Sequence, residues 1–281
     1  MAKRTLFRIF LLVIVSTFLY GCATSPYEGE GKAKSDALLD MQMQAADKQR
    51  ANKLEGQIIF AGFAMNSTSK AFRNDVVSAE KFVQSIDPDA IIFKLNNPAW
   101  GQSAIWPYST AENMEQVLAK VTELARPQDR VVILMSTHGN IDILSVNFAE
   151  KYYPSINSKW LSQALDELRG KPTLLVLSAC FSGSFIAPLA DPSRIILTAA
   201  AKDRSSFGCQ FQSTNTYFID ALLNEPTFLD LSLRQLMERA KIEVDKKEKD
   251  QKLSPPSLPQ TSIGRGVRDW ANQPIKDWLK P

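Results

Sequence analysis

Two apolar runs of seven residues most constrain the fold of this 281-residue chain. Residues 131–137 and 173–179 are rich in aliphatic and β-branched side chains, and each run is closed by small or polar residues. Such runs predict buried strands of a parallel sheet, and functional residues gather at the carboxyl ends of strands in open α/β sheets. The only histidine, His138, follows the first run, and Cys180 follows the second. The sequence therefore predicts an imidazole and a thiol at one edge of a sheet.

A cysteine paired with a histidine indicates nucleophilic catalysis. A thiol must lose its proton to attack a carbonyl carbon, and an imidazole that titrates near neutrality accepts that proton. We therefore expect Cys180 to be the nucleophile and His138 the general base. Gly139 lets the backbone approach a substrate closely, and the N–H groups of Gly139 and Cys180 are candidate donors to an oxyanion. For His138 alone, a histidine that merely ends a strand is the alternative.

Strands alternate with helices along the chain, which predicts an α/β fold with a mostly parallel sheet and helices on both faces. A charged run at 238–252 is then the solvated face of the last helix. We predict strands at 57–62, 90–95, 131–137, 173–179, 194–200 and 260–264, and helices at 35–54, 75–85, 111–125, 159–169, 214–223 and 231–247.

The amino terminus has the features of an export signal. Lys3, Arg4 and Arg8 precede an uncharged, largely apolar stretch of roughly 12 residues, which is too short to cross a bilayer but suits a signal peptide. Cys22 follows in a segment that resembles a bacterial lipobox, in which the cysteine carries the lipid. We therefore predict a lipoprotein-type signal peptide at 1–21. An ordinary cleaved signal or an uncleaved anchor is the alternative.

The charge balance argues against a nucleic-acid partner. The chain has 33 Lys and Arg against 30 Asp and Glu, and residues 1–21 hold three basic residues and no acidic one, so the mature protein balances at 30 against 30. No basic patch is evident. The motifs GxGxxG, GxxxxGK[ST] and HExxH do not occur, so dinucleotide, phosphate-loop and common zinc-protease functions lose their main support. We expect no cofactor and no metal.

Cys180 and Cys209 are the two thiols beyond Cys22. In an oxidising compartment two cysteines commonly form a disulfide, so a non-catalytic envelope lipoprotein scaffold with this disulfide is an alternative to an enzyme. Residues 181–184 favour the enzyme, because a turn of small residues after a strand opens a helix and points backbone N–H groups at an anion.

The residues around the two motifs resemble the legumain-type family of cysteine peptidases in the caspase-like clan, which includes asparaginyl endopeptidases and the GPI transamidase. The likeness extends from about residue 57 to 264 and is strongest at the His138-Gly139 pair and in residues 178–185, 198–200 and 203–209. It implies a caspase-like three-layer α/β sandwich and a Cys-His dyad without metal.

With this resemblance the chain divides into four parts. They are the signal peptide at 1–21, a tether and amino-terminal helix at 22–55, a caspase-like cysteine peptidase domain at 56–265, and a carboxyl-terminal tail at 266–281.

The resemblance also implies a specificity pocket. Arg73 falls where the family has an arginine that grips the side chain before the scissile bond, and Ser206 falls near a pocket serine. Ser178 stands where the asparagine-selective members have an acidic residue, so this chain departs from them there. Without that partner, Arg73 would accept an acidic or amide side chain through paired hydrogen bonds. A surface arginine that opens a helix is the alternative.

Together these features predict an exported, lipid-anchored cysteine endopeptidase that acts on peptide or protein substrates and is held at a membrane by its amino-terminal lipid. The resemblance to lipobox signals implies outer-membrane sorting in a host with two membranes, because Ala23 rather than an aspartate follows Cys22; we therefore expect the outer membrane of a bacterial envelope, with the enzyme facing the periplasm. A transpeptidase or transamidase on the same dyad is the alternative activity, because an amine can replace water at the acyl-enzyme.

Overall fold

The computed structural model describes residues 29–53, 56–99, 101–148, 151–210, 212–224 and 227–279. The predicted signal peptide and Cys22 lie outside these residues. The strands are β1 (Ile58–Ala64), β2 (Ile91–Asn96), β3 (Arg130–Ser136), β4 (Gly139–Asn140), β5 (Ile143–Phe148), β6 (Lys151–Ile156), β7 (Thr173–Ser178), β8 (Arg194–Thr198) and β9 (Gln260–Ile263). The helices are α1 (Glu30–Ala51), α2 (Lys70–Ile86), α3 (Ala111–Leu124), α4 (Ser158–Ala164), α5 (Ile186–Leu189), α6 (Tyr217–Leu223), α7 (Leu233–Asp250) and α8 (Arg268–Asn272).

A six-stranded sheet forms the centre of the molecule. Its order is β2-β1-β3-β7-β8-β9, and every neighbouring pair is parallel except β8 and β9. The strands of such a sheet carry apolar side chains on both sides, so both faces need a cover of helices. The predicted α/β class with a mostly parallel sheet is confirmed.

Helices cover both faces of this sheet and complete the three layers. One face packs against α1, α3 and α4, and the other against α2, α6, α7 and α8. Because side chains alternate along a strand, a single strand supplies both cores. In β3, Ile133 and Met135 belong to the first core, whereas Val132 and Leu134 belong to the second. None of the described helices is both long and apolar enough to cross a membrane.

Helix α1 covers the edge strand β2. The Gln42 side chain donates to the Lys94 carbonyl at 3.0 Å and accepts the Lys94 N–H at 3.0 Å, as a neighbouring strand would. Arg50, near the end of the helix, is buried and donates to Asp129 at 2.8 Å. These contacts fix α1 to the central sheet and occupy backbone groups that could otherwise pair with another strand.

Two parts of the structure differ from the expectation. Residues 139–156 contain a small antiparallel sheet, β4-β5-β6, which the sequence pattern does not predict. Residues 266–281 were expected as a tail, but Trp270 and Trp278 are buried in the second core with their rings edge to face at 5.2 Å. Residues 266–279 therefore belong to the packed structure, because the two indole rings are large apolar surfaces that the core buries.

Candidate active site

The two predicted motifs leave the sheet side by side. Strands β3 and β7 are parallel neighbours, and Ser136 and Ser178 are Cα partners at their ends. The Thr137 N–H donates to the Ser178 carbonyl at 3.1 Å, which extends this pairing by one residue. His138 lies two residues after Ser136, and Cys180 lies two residues after Ser178. The two residues therefore emerge from adjacent strands at the same level.

A sharp turn follows Cys180. Phe181 has φ 58°, a left-handed conformation that is costly for a residue with a side chain. Its N–H donates to the Arg204 carbonyl at 2.7 Å, and its carbonyl accepts the Ser184 hydroxyl at 2.7 Å. The short 3₁₀ turn Ser182–Phe185 continues from there. Strain held in place by these contacts is typical of functional sites, and here it projects Cys180 from the end of β7.

The Cys180 thiol is half-buried and faces Ser206. The Ser206 N–H donates to the sulfur at 3.3 Å, the Ser206 hydroxyl lies 3.6 Å away, and the Ser206 carbonyl can accept the thiol proton at 3.5 Å. Cys180 and Cys209 are both free thiols in the structure, without the disulfide of the scaffold alternative. Burial raises the pKa of Cys209, which keeps that second thiol protonated.

The hydrogen bonds of Thr68 determine which nitrogen of His138 carries the proton. His138 Nε2 lies 3.0 Å from Thr68 Oγ1, and the Thr68 hydroxyl donates to Asn66 Oδ1 at 2.7 Å. The Thr68 N–H also donates to Asn66 Oδ1, at 3.0 Å, which identifies that atom as the amide oxygen. Since the only hydroxyl proton goes to Asn66, Thr68 Oγ1 accepts from Nε2–H. The neutral imidazole therefore keeps its unprotonated nitrogen at Nδ1.

Burial keeps His138 neutral near pH 7. The ring is partly covered, and Phe72 contacts it edge to face with the ring centroids 4.9 Å apart. Burial lowers the pKa of His138 below its ordinary 6.5, because the charged form loses hydration. A neutral imidazole with a free Nδ1 can accept a proton from a thiol.

The described residues show no hydrogen bond between the Cys180 sulfur and the His138 ring. The sulfur is held by Ser206 and the ring by Thr68. Catalytic hydrogen bonds are often long in the absence of substrate and shorten when it binds. The thiol and the imidazole therefore lie on adjacent strand ends, each with a hydrogen-bond partner of its own.

Gly139 passes against the backbone that carries the thiol. A Cβ at this position would lie 2.5 Å from the Cys180 carbonyl oxygen and 3.0 Å from the Ile143 carbonyl oxygen. These contacts are too close for any side chain, so only glycine lets the two segments approach. The hairpin that begins at Gly139 is also fastened to the turn after the cysteine, since the Asp142 N–H donates to the Ser184 hydroxyl at 3.0 Å.

A fully buried carboxylate lies beneath the two strand ends. Asp75 of α2 accepts hydrogen bonds from Ser136 and Thr216, and Thr216 also bonds to Ser178. Burial raises the pKa of Asp75 to about 6, against hydrogen bonds from Ser136, Asn215 and Thr216 that favour the charged form.

Arg73 lines a cavity of about 360 Å³ beside the histidine. Thr68, the partner of His138, lines the same cavity, and its lining includes the cations Lys70 and Arg73 but none of the described carboxylates. Ser178 does not line it, because its side chain is buried and bonds to Thr216 at 2.9 Å. Ser206 contacts the thiol instead. The structure thus places Arg73 in the cavity that Thr68 also lines and Ser206 near Cys180, but it does not bring Ser178 to Arg73.

A larger cavity, about 560 Å³, lies between α7 and β9 and is lined by Arg234, Lys241 and Arg268 among others. Its lining holds neither cysteine nor histidine, so we assign the chemistry to the strand ends. In the part of the chain that the structure describes, no three residues among His, Cys, Asp and Glu cluster as metal ligands.

Thr68 and Asp75 were not predicted as site residues. Thr68 belongs to the polar run Asn66-Ser67-Thr68-Ser69 after the first strand, and the strand-end rule that selected His138 and Cys180 applies to it equally. Asp75 is an acidic residue among apolar ones on the buried face of α2, with Phe72, Val76 and Ala79. A charge on a buried face is a signal for a specific partner.

We predict that His138 titrates below its ordinary pKa of 6.5 in the folded protein and near 6.5 in urea. Since the folded pKa is lowered, the stability contribution of this group is present above the ordinary pKa and is lost as the pH falls through the folded pKa.

The chain has one histidine, so selective ¹³C,¹⁵N-histidine labelling gives one set of imidazole signals. In the wild type we expect the ¹⁵N chemical shifts of an Nε2–H tautomer. In Thr68→Val we expect these shifts to be lost. A folded titration at or above 6.5 would contradict the burial argument.

Among known proteins, no curated sequence matches the chain. A crystal structure of caspase-1 from Spodoptera frugiperda is similar in fold, with a TM-score of 0.49, 16% identity, and coverage of 74% of this chain and 86% of that one. A model of the peptidase C13 family matches residues 110–265, which are more than half of the chain and include His138 and Cys180. The chain belongs to the peptidase C13 family, the legumain-type cysteine peptidases.

Proposed function

We propose that this protein is a cysteine endopeptidase in which Cys180 attacks the peptide carbonyl and His138 moves the protons. Membership of the peptidase C13 family supports a cysteine peptidase that acts on peptide or protein substrates. One observation carries the assignment of the dyad. The β3–β7 register puts the only histidine and a free thiol at the same level on adjacent strand ends.

The reaction proceeds in two halves. His138 Nδ1 takes the thiol proton, the sulfur bonds to the carbonyl carbon, and the carbon–nitrogen bond breaks as His138 returns that proton to the leaving amine. In the second half His138 takes a proton from water, the hydroxide displaces the sulfur from the thioester, and Cys180 regains the proton. The Nε2–H group donates its hydrogen bond to Thr68 Oγ1 throughout the reaction. The same hydrogen bond therefore holds both the neutral and the charged ring.

The oxyanion that forms in each half of the reaction needs backbone N–H groups as hydrogen-bond donors. We assign the N–H groups of Gly139 and Cys180 to this role, since the two backbones touch where the thiol emerges. A side chain at residue 139 would collide with the Cys180 carbonyl, so the close contact of the two backbones depends on glycine at this position.

The cavity beside His138 is the proposed site for the substrate side chain before the scissile bond. Arg73 is half-buried there, with amide and hydroxyl groups around it. An arginine in such a lining recognises carboxylate or amide oxygens through paired hydrogen bonds. We therefore propose a preference for aspartate or asparagine at that substrate position.

Cys180→Ala and His138→Ala should each abolish peptide hydrolysis and leave circular dichroism unchanged, because neither side chain fills much of the core. Cys209→Ala is the matched control, since it removes the other free thiol and should keep activity. Cleavage of a peptide library identifies substrates, and product analysis with an added amine separates hydrolysis from transfer. Full activity in either of the first two variants would contradict the dyad.

Arg73→Ala should lower kcat/KM for peptides with Asp or Asn before the scissile bond by about 10- to 150-fold, as expected for the loss of a charge-assisted hydrogen bond. Peptides with Ala at that position should lose much less. Lys81→Ala removes an exposed cation from the same helix and is the control for helix charge. An unchanged ratio among the three peptides would show that Arg73 does not contact the substrate.

We also propose that the protein is exported and held on a bacterial outer membrane, facing the periplasm, by lipid on Cys22. Glu30 begins α1, and the eight residue steps from Cys22 to it span at most about 29 Å. Ser35 accepts the Tyr108 N–H at 2.9 Å, in the segment that follows β2, so α1 begins at the same end of the sheet as the active site. A short link entering at this end would keep the active site close to the membrane surface.

Cys22→Ser should move the protein from the membrane fraction to the soluble fraction if the signal peptide is still removed. The several acyl chains of a mature bacterial lipoprotein bind firmly, whereas one chain binds only marginally, so the shift should be nearly complete. Fractionation and labelling with radioactive lipid measure it, with Cys209→Ser as control. If the wild-type protein took up no lipid label, or if Cys22→Ser stayed on the membrane, the lipid anchor would be excluded. The amino terminus would then be an ordinary cleaved signal peptide or an uncleaved membrane anchor.

A further inference from the structure

The carboxylate of Asp75 connects the strands that carry the proposed dyad. Its Oδ2 accepts the Ser136 hydroxyl at 2.6 Å and the Thr216 hydroxyl at 2.9 Å, and its Oδ1 accepts the Thr216 N–H and the Asn215 amide, each at 3.0 Å. The side chain is inaccessible to solvent, and its two oxygens accept four hydrogen bonds. Asp75 therefore cannot touch a substrate, and its action has to pass through these neighbours.

The two arms of this network reach matching positions. Ser136 is two residues before His138 on β3. On the other arm, the Thr216 hydroxyl gives its proton to Asp75, so the bond of 2.9 Å between Thr216 and Ser178 is donated by Ser178. Ser178 is two residues before Cys180 and is the register partner of Ser136. The Asp75 carboxylate thus bonds directly to the strand that leads to the histidine. Through the Thr216 hydroxyl it is also connected to the strand that leads to the cysteine.

Packing alone does not require a carboxylate at residue 75. Its neighbours on the buried face of α2 are apolar, and a carboxylate among them loses hydration that hydrogen bonds only partly replace. A fully satisfied polar network, however, fixes one arrangement where apolar contacts would tolerate several. The position of Asp75 suits such a role, because a shift of about 1 Å between reacting groups costs on the order of 100-fold in rate.

We propose that Asp75 is a positioning residue for catalysis, which holds the ends of β3 and β7 so that His138 and Cys180 keep one fixed separation. The proposal rests on the proposed function, since it assumes that these two residues react. It assigns no contact with substrate to Asp75, Ser136 or Ser178.

Asp75→Ala should lower kcat by about 10- to 100-fold with little change in KM, because the loss lies in the alignment of the reacting groups and not in binding. Asp75→Asn should restore most of kcat. Its amide oxygen can accept from Thr216 and Asn215, and its amide nitrogen can donate to Ser136 and Thr216. Equal kcat in Asp75→Ala and the wild type would overturn the proposal, as would an Asp75→Asn variant as slow as Asp75→Ala.

Asp87→Ala is the matched control. Asp87 is also buried and accepts the Ile58 N–H at 2.8 Å and the Lys53 ammonium at 2.8 Å, but it lies at the amino end of β1, away from the site. This variant should lose stability in thermal melting and keep kcat. If Asp87→Ala slowed catalysis as much as Asp75→Ala, the effect would be general destabilisation, and the proposal would fall.

Two readouts do not need turnover and remain informative if Asp75→Ala does not fold. Ser136→Ala should move the imidazole signals of His138 and leave the alkylation rate of Cys180 unchanged, whereas Ser178→Ala should change that rate and leave the imidazole signals in place. Unchanged signals and rates in both variants would overturn the proposal. If Cys180→Ala kept full activity, the proposed function would fail, whereas an inactive Cys180→Ala beside a fully active Asp75→Ala would remove only the role of Asp75.

Discussion

The register between β3 and β7 is the constraint on which the site depends. Six Cα pairs, ending at Ser136 and Ser178, fix the level at which the two chains leave the sheet. Because side chains alternate along a strand, a slip of one residue would turn each affected side chain to the opposite face. The apolar cores on both faces oppose such a slip, since it would exchange the residues packed against each layer of helices. The stability of the sandwich thus serves the alignment of the histidine with the cysteine.

The order of strands and helices was predictable because burial on both faces leaves a strong pattern in the sequence. The runs that form β3 and β7 are apolar without interruption, and the structure confirms both strands. The hairpin sheet of residues 139–156 was missed because its last strand is largely exposed and contains Pro154. Helix α2 begins at Lys70, before the predicted start at residue 75, because the Ser69 hydroxyl caps it by accepting the Ala71 N–H.

The site was predictable only in part. His138 and Cys180 stand out because each follows a strand, and sequence alone carries that information. Asp75, in contrast, bonds to Ser136 and Thr216, which are 61 and 141 residues away in sequence. No local pattern specifies such partners, since they depend on how α2 and α6 pack against the sheet. The specificity pocket implied by the family resemblance stays a prediction. Ser178, which was assigned to it, bonds to the buried network instead.

The surroundings of His138 favour a neutral imidazole over an imidazolium. Burial lowers the pKa of His138, which disfavours the imidazolium, and the described residues place no carboxylate in hydrogen bond with the ring. Ser206 offers the sulfur a carbonyl that accepts the thiol proton and an N–H that stabilises a thiolate. In the proposed reaction the Ser206 N–H therefore faces the sulfur when its proton leaves. In the proposed mechanism, proton transfer to Nδ1 accompanies attack on the substrate, because the burial that keeps the histidine uncharged leaves it able to act as the general base.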